Sequence, residues 1–195
     1  VDKTAIKLVV STTVVCIVAA AGLGMTYGVT KDRIAKMDRE AEVAALRAVL
    51  PDAKRFSKVA AAEDLAAAKK AAGEVTFVSA YSASSSGGDP AGWGVRVASR
   101  GYGGPMQLVI GLDRDGKVTG VSIVAMNETP GLGTKVLTEK WFMRQFTKLP
   151  AGASDADLRK LDAISGATKS SRGVRHGVEA AVRVWRAAFG GGGGN

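Results

Sequence analysis

Between Lys7 and Lys31 lies an unbroken run of 23 uncharged residues, 8–30, reading LVVSTTVVCIVAAAGLGMTYGVT. As an α-helix such a run rises roughly 34 Å, enough to cross the hydrocarbon core of a bilayer. A retained single-pass membrane anchor over residues 1–30, in contact with membrane lipid, is therefore expected. The competing reading is a cleavable secretory signal, for which Ala19, Ala20 and Ala21 offer small-residue cleavage positions. The apolar run continues past them, which favours retention. Gly24 and Gly28 form a GxxxG pair, suited to close helix contact and equally to ordinary glycine usage in a membrane helix. Lys3 and Lys7 flank one end of the run, and Lys31, Arg33, Lys36 and Arg39 the other. Counted alone, these basic residues place the following domain on the cytoplasmic side.

About 160 residues then remain before a glycine tail, enough for one domain with its own core. The single cysteine, Cys16, lies within the apolar run, which excludes an intrachain disulfide or a cysteine-held iron–sulfur cluster. Redox chemistry, if present, belongs to a bound organic cofactor or to a partner. With His176 as the one histidine, a site of several imidazole ligands is excluded too, and no metal is expected. The formal net charge of +9 suits either nucleic acid or a solvated surface beside a membrane. No zinc spacing or aromatic-interleaved basic stripe supports the first, so no nucleic-acid partner is expected.

Ile34, Met37, Ala41, Ala44, Ala45, Val49 and Leu50 recur at helical spacing, and Pro51 should end that helix. A second, alanine-rich helix is expected over 60–72. Val75-Thr76-Phe77-Val78 and Trp93-Gly94-Val95-Arg96-Val97 read as strands separated by a Ser/Gly-rich loop over 84–88. Two β-branched runs, 107–112 and 117–124, flank Asp113-Arg114-Asp115-Gly116, a hairpin signal. After a glycine-bearing loop over 127–133, one helix carries Val136, Leu137, Trp141 and Phe142 to Phe146. The last helix, over 170–189, sets Val174, Val178, Val182, Trp185 and Phe189 on one stripe. Trp141 and Trp185 read as core at that spacing, and His176 as facing solvent. The expected organisation is an anchor (1–30), a helical connector (31–73), one α+β domain with an antiparallel sheet flanked by helices (74–189) and a disordered tail (190–195).

The segment Asp162-Ala163-Ile164-Ser165-Gly166-Ala167-Thr168-Lys169-Ser170-Ser171 carries the most chemistry. It is a small-residue turn feeding the N-terminus of an amphipathic helix, where unpaired N–H groups and the helix dipole favour an anion such as phosphate. Gly166 and Ala167 permit close approach of the backbone. The plainer alternative is an N-cap cluster in which Ser165, Thr168 or Ser170 caps the helix. Lys135 and Lys169 suit a phosphate, and equally an unpaired surface role.

The Asp-x-x-Ser-Gly-Ala-Thr pattern resembles the flavinylation motif of the FMN-binding domain family. In that family the final threonine, here Thr168, carries FMN through a phosphoester, placed there by a flavin transferase that takes FMN from FAD. Asp162 and Ser165 match positions that the transferase requires or that shape the acceptor loop. Asn127-Glu128-Thr129-Pro130-Gly131-Leu132-Gly133-Thr134-Lys135 resembles the loop that lines the flavin in the same family. There Pro130 stiffens the chain, Gly131 and Gly133 let backbone N–H groups reach the isoalloxazine, and Leu132 offers apolar contact. Gly101-Tyr102-Gly103-Gly104-Pro105, the Asp-Gly hairpin and Trp141-Phe142-x-x-Gln145-Phe146 follow the family pattern in the same order.

The resemblance is closest to the G subunits of Rnf-type ferredoxin:NAD⁺ oxidoreductases, and extends to the C subunits of Na⁺-translocating NADH:quinone reductases. It implies covalent FMN, an electron-carrying role without a catalytic residue of its own, other complex subunits and a flavin transferase as partners, and coupling to Na⁺ or H⁺ movement. It also implies a bacterial or archaeal cytoplasmic membrane with the FMN domain on the outer face, against the basic-residue count. The implied site is Thr168 with Asp162, Ser165, Gly166, Ala167, Lys169, Glu128, Thr129, Gly131, Leu132 and Gly133. A membrane-tethered interaction protein without a redox role remains the alternative of a different class.

Overall fold

The computed structural model describes residues 3–61 and 66–189; the expected tail over 190–195 and the middle of the expected alanine-rich helix lie outside them. The apolar run and the helical pattern after it form one helix, α1 (Lys3–Val49). The chain divides into two compact units, Val1–Ala41 and Glu42–Asn195.

In the first unit Leu8, Leu23 and Val29 are 65 %, 74 % and 84 % exposed, an apolar surface that water does not tolerate over such a length but lipid does. Thr13 and Thr26 turn their hydroxyls back to the Val9 and Gly22 carbonyls at 2.8 and 2.9 Å. Their polar groups are thereby satisfied inside the helix, as an apolar solvent requires.

The second unit runs β1 (Arg55–Ala61), α2 (Ala66–Ala72), β2 (Thr76–Ser84), β3 (Pro90–Arg100), β4 (Pro105–Leu112), β5 (Val118–Met126), α3 (Lys135–Thr138), α4 (Lys140–Phe146), α5 (Asp155–Arg159) and α6 (Thr168–Ala188). The strands form one antiparallel meander in sequence order. The expected hairpin closes through a hydrogen bond from Asp113 N–H to Lys117 O at 2.9 Å, with the Asp113 carboxylate accepting the Asp115 and Lys117 N–H groups.

Both faces of the sheet are covered, which explains why β4 reads as a nearly continuous apolar run. On one face Leu108, Ile110 and Leu112 join Val174, Val178 and Val182 of α6 in the main core. On the other, Val109 packs with Ala45, Leu46, Val49 and Leu50 from the end of α1. Arg96 of β3 pairs with Glu42 at 3.1 Å, both almost fully buried, and Ser79 Oγ donates to the same carboxylate at 3.1 Å. The α1 end is thus part of the domain, fixed by apolar contact and a buried ion pair.

Helix α6 lies close on β3 and β4 because Gly173 and Gly177 bear no side chain. A Cβ at Gly177 would fall 2.2 Å from Leu108 Cδ1, and one at Gly173 2.5 Å from the Arg100 carbonyl oxygen. Ser99 Oγ uses the approach to donate to the Gly173 carbonyl at 2.6 Å.

Three expectations change. Residues 60 and 61 belong to β1, paired to Ala80 and Ser79, instead of opening a helix; α2 starts at Ala66. Ladder pairing overrides the helix preference of alanine there. The single helix expected over 135–146 is two, broken at Glu139, whose φ of −81° and ψ of 81° are not helical. That break leaves Trp141 46 % exposed instead of in the core, its indole N–H donating to Glu139 at 3.1 Å.

Candidate functional site

Three segments meet beyond the ends of β3 and β5: the loop after β3, the loop between β5 and α3, and the turn that enters α6. Glu128 binds the first two together. Its carboxylate accepts the Tyr102 and Gly103 N–H groups at 2.8 and 3.1 Å. It fits because Gly133 leaves room, a Cβ there falling 2.1 Å from Glu128 Oε2. Glu128 and Gly133 therefore build the loop from behind. Gly131, at φ +77°, gives its N–H to Thr134 Oγ1 at 2.9 Å, and Thr129 O accepts the Leu132 N–H at 3.2 Å. The loop closes on itself and turns Leu132 outward, 48 % exposed.

The entry to α6 is held from two sides. Gln145 grips the Asp162 backbone like a strand partner, its Nε2 donating to Asp162 O at 2.8 Å and its Oε1 accepting Asp162 N–H at 3.0 Å. Ser171 Oγ accepts the Ile164 N–H at 3.1 Å, and Ala167 N–H closes the turn onto Ile164 O at 2.9 Å. Gly166 sits at φ +76°, a left-handed conformation that L side chains resist.

The capping alternative does not hold. The N-cap of α6 is Ala167, without a side-chain cap, and Thr168 is the first helical residue. Within α6, the Ser171 N–H bonds back to the Ala167 carbonyl at 2.9 Å. The N–H groups of Thr168, Lys169 and Ser170 precede the helical ladder, at the positive end of a 21-residue helix. Lys135 Nζ approaches the Ser165 carbonyl at 3.5 Å, and Lys169 Nζ stands 5.2 Å from the centre of the Tyr102 ring. Two lysines thus flank the turn that leads into the exposed Thr168.

Two cavities border Thr168. The larger, about 290 Å³, is lined by Tyr102, Leu132, Gly166, Ala167, Thr168, Lys169 and Ser170. The smaller, about 110 Å³, has Phe142, Phe146, Leu161, Asp162, Ala163, Thr168, Ser171, Arg172 and Arg175 around it. Ser170 is wholly buried, yet its Oγ has no hydrogen-bond partner among the described residues. A buried hydroxyl left unpaired beside an apolar cavity, next to an uncapped helix N-terminus and two lysines, fits a ligand that is part anion and part flat apolar ring. A flavin mononucleotide is such a ligand.

Of the residues marked out in the sequence, Leu132, Gly166, Ala167, Thr168 and Lys169 come together around the larger cavity and Asp162 around the smaller. Ser165 stays exposed on the turn, and Glu128, Thr129, Gly131 and Gly133 shape the loop. Two residues that line the smaller cavity, Arg172 and Arg175, were missed in the sequence reading. Arg172 and Arg175 stand four and seven positions after Thr168, a helical spacing that was legible; the aromatic wall that makes a cleft beside them was not. His176 is exposed, and its pKa is lowered by partial burial and by the nearby Arg175 and Arg172, with Glu74 opposing.

Residues 101–183 match the model of the FMN-binding domain. The chain is 31 % identical over 199 residues to the G subunit of the Na⁺-translocating ferredoxin:NAD⁺ oxidoreductase complex of Acetobacterium woodii, covering 94 % of this chain and 93 % of that protein. It is 30 % identical over 175 residues to the G subunit of the proton-translocating ferredoxin:NAD⁺ oxidoreductase complex of Clostridium ljungdahlii, covering 87 % and 85 %. In fold it is similar to the crystal structure of the C subunit of the Na⁺-translocating NADH-quinone reductase from Parabacteroides distasonis, with a TM-score of 0.51 and 18 % identity over 78 % of this chain and 93 % of that one.

Proposed function

From the premise that this chain belongs to the family of G subunits of ion-translocating ferredoxin:NAD⁺ oxidoreductase complexes, we propose that it is a membrane-bound electron-transfer protein carrying FMN on Thr168. The FMN-binding domain match supports the cofactor, and the apolar stretch of α1 supports a single-pass membrane protein. The likeness to the quinone-reductase structure concerns the fold alone. Bound FMN supplies one- and two-electron transfer; the protein supplies attachment, orientation and electrostatics.

The observation that carries covalent attachment is the position of Thr168. Its residue is exposed at the first turn of α6, on the rim of two cavities, where the helix end lacks a side-chain cap. A flavin transferase would deliver FMN from FAD: the threonine oxygen attacks the phosphorus on the flavin side, the bond to the AMP oxygen breaks, AMP leaves, and the hydroxyl proton passes to a base of the transferase. The helix end and Lys169 stabilise the negative charge that gathers on the transferred phosphoryl group. Asp162, exposed on the acceptor turn, is the surface such an enzyme would read.

The rest of the chain serves a carrier. A tethered cofactor is not lost between partners. The domain faces the outer side of the membrane, with the partner subunits deciding the topology.

Expression with and without a flavin transferase, followed by a denaturing gel and in-gel flavin fluorescence, tests the attachment. A fluorescent band is expected only with the transferase. It disappears in Thr168→Val, while the protein still folds, and survives in Thr168→Ser, which keeps the hydroxyl. A band that persists in Thr168→Val sinks the assignment.

A further inference from the structure

We propose that the exposed side chains of Leu137 and Trp141, with the basic residues around them, form the surface on which another protein subunit of the same complex docks, through a face apolar at its centre and acidic at its rim. This rests on the reading of the domain as an electron carrier and adds where its partner sits.

Exposed apolar side chains are unevenly placed in the second unit. Beyond α1, the large hydrophobic residues open to solvent among the described residues are Val59, Tyr102, Leu132, Leu137 and Trp141. Four of these five belong to segments that build or adjoin the candidate site. Val59 stands apart on β1, the sheet edge opposite β5. Tyr102 and Leu132 line the cavity beside Thr168, and Leu137 and Trp141 follow on α3 and α4. Tryptophan and leucine left open beside one another in sequence are surface that a partner buries with profit, tryptophan above all. The Trp141 ring is also fixed in place, its indole N–H donating to Glu139 at 3.1 Å, so little side-chain freedom is lost when it is covered.

Helix α4 joins this surface to the site. Its Phe142 and Phe146 are buried and line the cleft that reaches Thr168, while Lys140, Trp141 and Arg144 are exposed. A partner on the exposed side is one helix thickness from that cleft, about 10 Å.

Charge selects the partner. The segments 101–105, 127–146 and 162–172 carry five basic side chains, Lys135, Lys140, Arg144, Lys169 and Arg172, against three acidic ones, Glu128, Glu139 and Asp162. Among the described residues, Lys140, Arg144 and Lys169 are in no ion pair. An acidic rim on the partner complements that excess and steers the encounter. A bilayer surface also receives tryptophan and lysine. The patch, however, adjoins the cavity of an electron carrier, and lipid neither gives nor takes electrons, whereas a redox subunit does.

The test places the photo-crosslinker benzoylphenylalanine at Leu137, Trp141 or Val59 of the full-length chain, expressed in its host with the other subunits. Mass spectrometry of the crosslinked peptides names the neighbour. Positions 137 and 141 should join Asp- or Glu-bearing peptides of another subunit of the complex, and position 59 should not. Lys140→Glu/Arg144→Glu should lower the yield at position 137 about tenfold, and Lys140→Arg/Arg144→Lys should preserve it. Thermal melting and in-gel flavin fluorescence of these variants should match the wild type. The single variants Lys140→Glu and Arg144→Glu give the same reading should the double variant not fold. Crosslinks at 137 and 141 to lipid, to a second copy of this chain, or to nothing beyond what position 59 gives overturn the docking, as does a yield that charge reversal leaves unchanged. A wild-type chain without flavin fluorescence overturns the carrier reading instead, in a sample that needs no crosslinking.

Discussion

Glu128 Oε1 accepts the backbone N–H of Tyr102 at 2.8 Å, so a residue on the loop after β5 decides where an aromatic ring on the loop after β3 stands. That ring borders the cavity beside Thr168 and carries Lys169 over its face. The carboxylate that resemblance places at the flavin site is engaged with the protein's own backbone.

Glu128→Ala leaves the Tyr102 and Gly103 N–H groups without their acceptor, an expected loss of about 1–3 kcal/mol. Glu128→Gln keeps one acceptor oxygen and should lose less. Chemical denaturation of the two variants gives the order. Flavin fluorescence should rise in both as the Tyr102 wall loosens, and an unchanged yield would show that the ring does not use that wall.

Gly166→Ala tests the acceptor turn. The added methyl meets Lys135 Nζ at an ordinary 3.5 Å, so the cost comes from the backbone at φ +76°. A loss of about 1–2 kcal/mol is expected. Adduct formation should fall further than stability does, because the turn presents the hydroxyl. Thermal melting and intact mass on the same samples separate the two effects.

The pair Glu42–Arg96 is buried on both sides, with side-chain exposures of 10 % and 6 %. Glu42→Leu takes the carboxylate from a buried guanidinium that keeps Gln107 Oε1 as an acceptor at 3.0 Å, and should cost about 3–5 kcal/mol. Replacing both, as Glu42→Leu/Arg96→Met, should recover most of that loss. A double-mutant cycle by denaturant unfolding reads the coupling, and a fully additive cycle would refute it.

His176 sets a pH dependence. Partial burial, then Arg175 and Arg172, hold its pKa below the ordinary 6.5, with Glu74 pulling the other way and Arg183 adding to the depression. The unfolded chain therefore binds a proton that the folded chain refuses. Its contribution is present above pH 6.5 and is lost as pH falls through the folded pKa. Glu179 has the opposite sign: burial, then Asp155, raise its pKa, so its contribution grows as pH falls toward the ordinary carboxylate range and offsets part of the loss. Melting temperature from about pH 7.5 to about pH 5.5 should drop in the wild type and drop less in His176→Asn.

Local pattern determined a good part of this protein. The uncharged run of residues 8–30 is a helix, the Asp113–Gly116 signal is a hairpin, and Val174, Val178 and Val182 are the buried stripe of α6. These features depend on spacing along one element, which a sequence displays directly. Tertiary structure decided what depends on a neighbour from elsewhere in the chain. Residues 60 and 61 became strand because β2 was there to pair with them, and the end of α1 became core because the second sheet face was open to it. Trp141 went to the surface because the chain breaks at Glu139. Glu128 turned to Tyr102 and Gly103, and Gln145 to Asp162, across gaps of 17 to 26 residues. A hydrogen bond needs two partners in position, and spacing within one element names only the first.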